Sequence, residues 1–162
     1  MRKCLAFILV SLIFAGCGAQ ETMETLADEW VQSAAAPAAE IRLTLPEEAA
    51  APVSENETGM IYQCDGYEIL VQTLEAGDLD ATLRSVTGYS REELTVIETR
   101  FNDVKRYDLV WSCLGEMGDQ VGRACVLDDG NYHYVLSVLA EADRAAEYEP
   151  VWEELFGSYS LG

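Results

Sequence analysis

Four runs of β-branched and aromatic residues follow one another between positions 95 and 139, with almost nothing between them. They occupy residues 95–101, 106–114, 120–128 and 132–139, and turns at Asn102-Asp103, residues 115–119 and Asp129-Gly130 separate them. A parallel pair needs a crossover of about a dozen residues or more, so links this short force neighbouring strands to run antiparallel. Asp129-Gly130 suits a two-residue hairpin, which places Val126 opposite His133. The last run carries Tyr132, Tyr134, Leu136 and Val138 on one face and Val135 and Leu139 on the other. A sheet that is apolar on both sides needs cover on both sides.

The remaining segments supply candidates for that cover. Residues 60–64 and 67–74 read as a hairpin turning at Asp65-Gly66. Asp78 caps a helix that presents Leu79, Leu83 and Val86 on one face and stops at Gly88. Ser90 and Glu93 have capping-box spacing. A last helix over about 143–156 carries Tyr148, Val151, Trp152 and Leu155, and Pro150 is expected to kink or restart it at Glu149. Upstream, Met23, Leu26, Ala27, Trp30, Val31 and Ala34 lie on one helical face of residues 22–34. That helix is expected to dock through Trp30. Residues 41–45 alternate as a strand, and the acidic, Pro-containing link at 46–59 is expected to be a loose surface excursion. The expected class is α+β, with a central antiparallel sheet covered by helices on both faces.

The N-terminus addresses the chain. Met1-Arg2-Lys3 is basic, residues 4–14 are apolar apart from Ser11, and Ala15-Gly16-Cys17-Gly18 follows. This order resembles the lipobox of bacterial lipoproteins, which implies cleavage before Cys17, a diacylglyceryl group on its thiol and an acyl group on its new amine. The apolar run is too short for a spanning helix of about 20 residues. The expected organisation is a signal peptide at 1–16, a lipidated tether at 17–21, the helix, strand and link at 22–59, and the main domain at 60–162. The implied location is the extracytoplasmic side of the cell membrane, in its outer leaflet or in an outer membrane.

Loss of residues 1–16 removes Arg2 and Lys3, so the 10 basic residues fall to 8 against 29 acidic ones, a net charge of −21. That charge repels nucleic acid phosphates and anionic lipid alike. With Cys17 lipidated, Cys64, Cys113 and Cys125 remain, an odd set that allows one disulfide plus a free thiol, or three free thiols. Cys113 and Cys125 flank one turn, and register decides whether they share a face. No CxxC or zinc spacing is present.

No catalytic constellation stands out. His133 is the sole histidine, and strand alternation turns Cys125 away from it. Glu75, Asp78 and Asp80 fail the calcium-loop pattern and suit a helix N-terminus. Tyr62, Tyr67, Tyr107, Trp111, Tyr132 and Tyr134 read as core or cross-strand pairs. Neither a metal nor a cofactor is expected beyond the lipid on Cys17.

Tyr67-Glu68-Ile69, the run from Val126 to Gly130 with Tyr132-His133-Tyr134, and the stretch from Trp152 to Tyr159 look like the PsbP-like α/β/α sandwich of small bacterial lipoproteins. The resemblance covers about two thirds of the chain. It implies that fold and a non-enzymatic accessory role, and it carries over no catalytic residue. The expected function is thus a lipid-anchored binding or accessory module of the envelope, with an envelope protein or ligand as partner. The alternative is an extracytoplasmic enzyme or thiol-redox protein using surface carboxylates or a free cysteine.

Overall fold

A computed structural model describes residues 36–115 and 118–162. Cys17 and the helix expected over 22–34 lie outside the described residues. The described chain forms one compact unit, Ala36–Gly162.

Its elements follow in order: β1 (Ile41–Arg42), β2 (Ser54–Asn56), β3 (Gly59–Gln63), β4 (Tyr67–Glu75), α1 (Leu79–Thr87), a 3-10 turn (Arg91–Glu93), β5 (Val96–Phe101), β6 (Val104–Gly115), β7 (Gly118–Asp128), β8 (Tyr132–Glu141), α2 (Ala145–Ser158) and β9 (Ser160–Leu161). Seven strands form one antiparallel sheet in the order β2-β3-β4-β8-β7-β6-β5. The short β1 and β9 pair separately, so Ile41 lies beside Leu161 and the two ends of the unit are tied together.

The expectation of helices covering both faces is corrected. Strands hold 48% of the described residues and helices 21%, and the sheet is not the middle layer of a sandwich. The reason is geometric. Seven strands at about 4.8 Å spacing make a sheet about 29 Å wide. A helix is about 10 Å across, so a single helix spans little more than two strands. α2 lies on one face, where Tyr148, Trp152, Leu155 and Phe156 pack with Tyr67, Ile69, Leu136 and Val138. α1, nine residues long, lies on the other, where Leu83 packs with Tyr107, Leu109, Ala124, Val126 and Val135. Both helices sit over the middle strands, and among the described residues no helix covers β5 or the outer side of β6 on the α2 face.

Local chemistry explains the helix limits. Asp78 Oδ1 accepts Asp80 N–H (3.1 Å), and Gly88 ends α1 with φ of 81° while donating its N–H to Arg84 O (2.8 Å). Both fill backbone groups that a helix end leaves open. α2 runs from Ala145 to Ser158 as one helix through Pro150, so the expected restart at Glu149 is absent. Its last turn carries no basic residue of its own; the sheet supplies cations instead. Arg106 Nη2 donates to Phe156 O (3.3 Å), and the Arg123 guanidinium lies 4.5 Å from the Phe156 ring centroid. Positive charge at that end complements the helix dipole.

The link at 46–59 is more ordered than its composition suggests. Residues 54–56 form β2, paired with β3, and Ala49 is buried. Glu48 accepts the Tyr67 phenol at 2.6 Å, and Asn56 Oδ1 accepts the N–H groups of Thr58 and Gly59 in the β2–β3 turn. These contacts come from partners distant in sequence or from one side chain, so no periodic pattern announces them.

The β7–β8 turn also sits one residue later than expected. Asp129 N–H donates to Tyr132 O at 3.3 Å, so Gly130-Asn131 is the loop and Gly130 takes φ of 89°. Asp128, not Val126, faces His133. The cause is the Asp129 carboxylate, which accepts Asn131 N–H (2.8 Å), Tyr132 N–H (2.7 Å) and the Tyr134 phenol (2.9 Å). Burial raises its pKa, but those donors outweigh burial and hold it below the ordinary aspartate value.

Candidate functional site

The residues with chemical potential do not converge. His133 is buried between the α1 face of the sheet and α1 itself, with Nδ1 2.8 Å from Thr82 Oγ1. Cys125 lies opposite Leu136 and packs on the α2 side, so it faces away from His133. The two-residue register difference preserves this, because only an odd slip exchanges faces. Asp78 serves as the helix cap, and Asp80 approaches Arg91 at 3.9 Å. Among the described residues no group of three or more His, Cys, Asp or Glu side chains could hold a metal ion.

Among the described residues the three thiols are unpaired and mutually out of reach. Cys113 faces the α1 side opposite Gln120, whereas Cys125 faces α2. Cys64 shares the α2 side with Cys125, but it follows β3, three strand spacings from β7, or about 14 Å. Bridged cysteines need Cα atoms within about 7 Å. Burial raises the Cys64 thiol pKa against a hydrogen bond from Tyr67, and burial pushes Cys125 up to about 12 against the nearby Arg106. Both are therefore poor nucleophiles near neutral pH. The protein unfolded without reductant is expected to show three reactive thiols at positions 64, 113 and 125. Native protein should label first at the half-buried Cys113. A mass change from alkylation at only one of these positions would contradict the packing.

The aromatic set is mostly core. Tyr62, Tyr67, Tyr107, Trp111 and Tyr134 are buried, and Tyr67, Tyr148 and Trp152 form a cluster with centroids 4.8 to 6.3 Å apart. The surface feature that stands out is elsewhere. Ile97 (62% exposed), Phe101 (80%), Val110 (58%) and Leu114 (83%) are large apolar side chains in water. The strand register puts all four on the α2 face, because Ile97 pairs with Asp108, Phe101 with Val104, and Val110 with Arg123. They lie where that face runs beyond the reach of α2. A groove of about 300 Å³ joins this surface to the helix. Val110, Val121 and Arg123 form its floor, and Ala145, Glu149 and Trp152 its wall. The Trp152 indole N–H is buried there without a hydrogen-bond partner among the described residues.

This surface escapes a reading of the sequence because β6 is apolar on both faces in part. Tyr107, Leu109, Trp111 and Cys113 mark the covered α1 side. On the other side Arg106, Asp108 and Ser112 alternate with Val104, Val110 and Leu114. That mixture is the available signal of a half-covered strand. Two larger clefts carry acidic groups: one of about 390 Å³ sets Glu47 and Glu154 among Leu45, Pro46, Val151 and Leu155, and one of about 410 Å³ sets Arg144 among Asp65, Glu68 and Glu141.

No protein-family model matches the chain, and no curated protein is similar to it.

Proposed function

We propose that the protein is a non-catalytic binding module, held on the extracytoplasmic side of a bacterial membrane by lipid on Cys17, that engages an envelope protein through its uncovered sheet face. One observation carries the binding half: Ile97, Val110 and Leu114 are exposed on the same face of neighbouring strands and continue into the groove beside Trp152. Exposed apolar side chains gathered on one surface mark interaction sites, whereas single ones scattered over a surface do not. Arg106, Asp108, Ser112 and Arg123 stand on the same face among these apolar side chains, so the surface mixes apolar contacts with polar and charged groups as an interface does. The anchoring half rests on the basic start, the apolar run and Ala15-Gly16-Cys17. Two or more acyl chains give stable attachment where one gives marginal binding.

A photo-crosslinking residue placed at Val110 or Leu114 in the full chain, in membranes, tests this reading. A discrete adduct is expected from both positions and none from Glu153, which is exposed on the outer side of α2. Equal labelling at Glu153, or recovery of the wild-type chain in the soluble fraction, would overturn it.

A further inference from the structure

We infer that β5 is a self-pairing edge, through which two copies of the chain join antiparallel about Thr99 into one continuous sheet. This deepens the binding reading by naming a partner for the edge that adjoins the apolar surface. Among the described residues β5 is the last strand on its side of the sheet. A strand in that position presents unpaired backbone groups, and natural edges are commonly protected by charge, proline or a covering element. Here five of the six residues, Ile97 to Phe101, are exposed.

The backbone direction can be worked out. Phe101 and Val104 flank the two-residue loop Asn102-Asp103, so they form a hydrogen-bonded pair. Alternation then directs the N–H and C=O groups of Ile97 and Thr99 towards β6, and those of Val96, Glu98 and Arg100 outwards. A second copy must therefore pair its own outward residues with these. Centring the pair on Thr99 places Glu98 opposite Arg100 of the second copy, and Arg100 opposite its Glu98. The two pairs exchange four backbone hydrogen bonds around the axis. On the other face Ile97 meets Phe101 of the second copy, twice. Moving the centre to residue 98 sets Glu98 against Glu98, and moving it to residue 100 sets Arg100 against Arg100. Like charges directly opposite are destabilising and unlike ones favourable, so charge selects the Thr99 register.

The present partners of these side chains do not compete strongly. Glu98 lies 3.8 Å from Arg91, and Arg100 lies 3.6 Å from Asp103 and donates to Asn102 O at 3.1 Å. These are exposed contacts, a class that contributes little. Long-range charge also favours this edge. The whole chain is at −19, but residues 91–110 set Arg91, Arg100, Lys105 and Arg106 against Glu92, Glu93, Glu98, Asp103 and Asp108, a net −1. Two copies repel less through this stretch than through surfaces drawn from the rest of the chain, which carries the remaining −18 of the −19. The two-fold axis relating the copies is perpendicular to the sheet, so the two apolar surfaces fall on one side and merge.

The test uses the full chain in membranes, carrying two different epitope tags, with co-capture after mild solubilisation. Glu98→Arg alone and Arg100→Glu alone should each reduce co-capture about tenfold, since each creates two like-charge pairs. Glu98→Arg on one tagged copy and Arg100→Glu on the other should restore it, because every pair is then opposite in charge. Thr99→Cys should form an intermolecular disulfide on mild oxidation, and Ile97→Cys should not. No co-capture of wild-type copies, capture unaffected by either substitution, or no rescue by the mixed pair would each overturn the proposal. Glu98 and Arg100 lie on the face opposite Val110, so failure here with intact crosslinking at Val110 leaves the binding surface standing.

Discussion

Phe156→Ala is expected to lower the stability of the folded unit by about 3–5 kcal/mol, the usual cost of truncating a fully buried aromatic side chain. Phe156 is 1% exposed on the inner side of α2, within the cluster that includes Ile69, Leu136 and Val138. It also holds the helix end to the sheet electrostatically. The Arg123 guanidinium sits over its ring, and its carbonyl accepts from Arg106, whose Nε and Nη2 in turn donate to Asp108 at 2.8 and 3.0 Å. Losing the ring removes the cation–π contact, worth about 0.5–1 kcal/mol or more, and leaves Arg123 over a cavity. A domain of this size has about 5–15 kcal/mol in total, so about a fifth or more of it would go. Urea unfolding followed by tryptophan fluorescence measures the change. Glu153→Ala, on the exposed side of the same helix, should shift stability by less than about 0.5 kcal/mol. A Phe156→Ala effect below about 1 kcal/mol would mean that α2 is docked by other residues.

How much was legible follows from the range of each interaction. The strands between residues 95 and 141 announce themselves because both faces of β8 and one face of β6 are apolar with a period of two. The α1 caps were readable because Asp78 and Gly88 act within one turn. Gly66, with φ of 89° and packed under Tyr148 and Arg144, sits where Asp65-Gly66 calls for a turn. The exact β7–β8 register was not readable, since three donors to the Asp129 carboxylate move the loop by one residue. Nor was β2, whose three polar residues become a strand only because β3 offers an edge. The extent of helix cover was the least legible feature. Periodicity shows which face of a helix is apolar, but it does not show how many strands that face can reach.

The same limit hid the candidate site. Val110 and Leu114 alternate with Arg106, Asp108 and Ser112, and nothing local says whether such a face is covered. Only the placement of α2 over the middle strands makes them exposed.

That exposure yields the second large expected effect. Val110→Asp combined with Leu114→Asp should leave folding nearly unchanged, because side chains 58% and 83% exposed contribute little to the core. The same substitutions should abolish docking. A charge placed in an apolar interface loses its hydration; Arg123 lies opposite position 110 and offsets part of that cost, whereas Asp119 lies opposite position 114 and leaves the second charge without a partner, and central interface positions commonly carry 2 kcal/mol or more. The most direct measurement is therefore the affinity of the double variant, against wild type, for the protein captured at position 110. Binding weakened about 30-fold or more at an unchanged unfolding midpoint is the predicted result. Unchanged affinity would contradict the claim that this face is where the protein works.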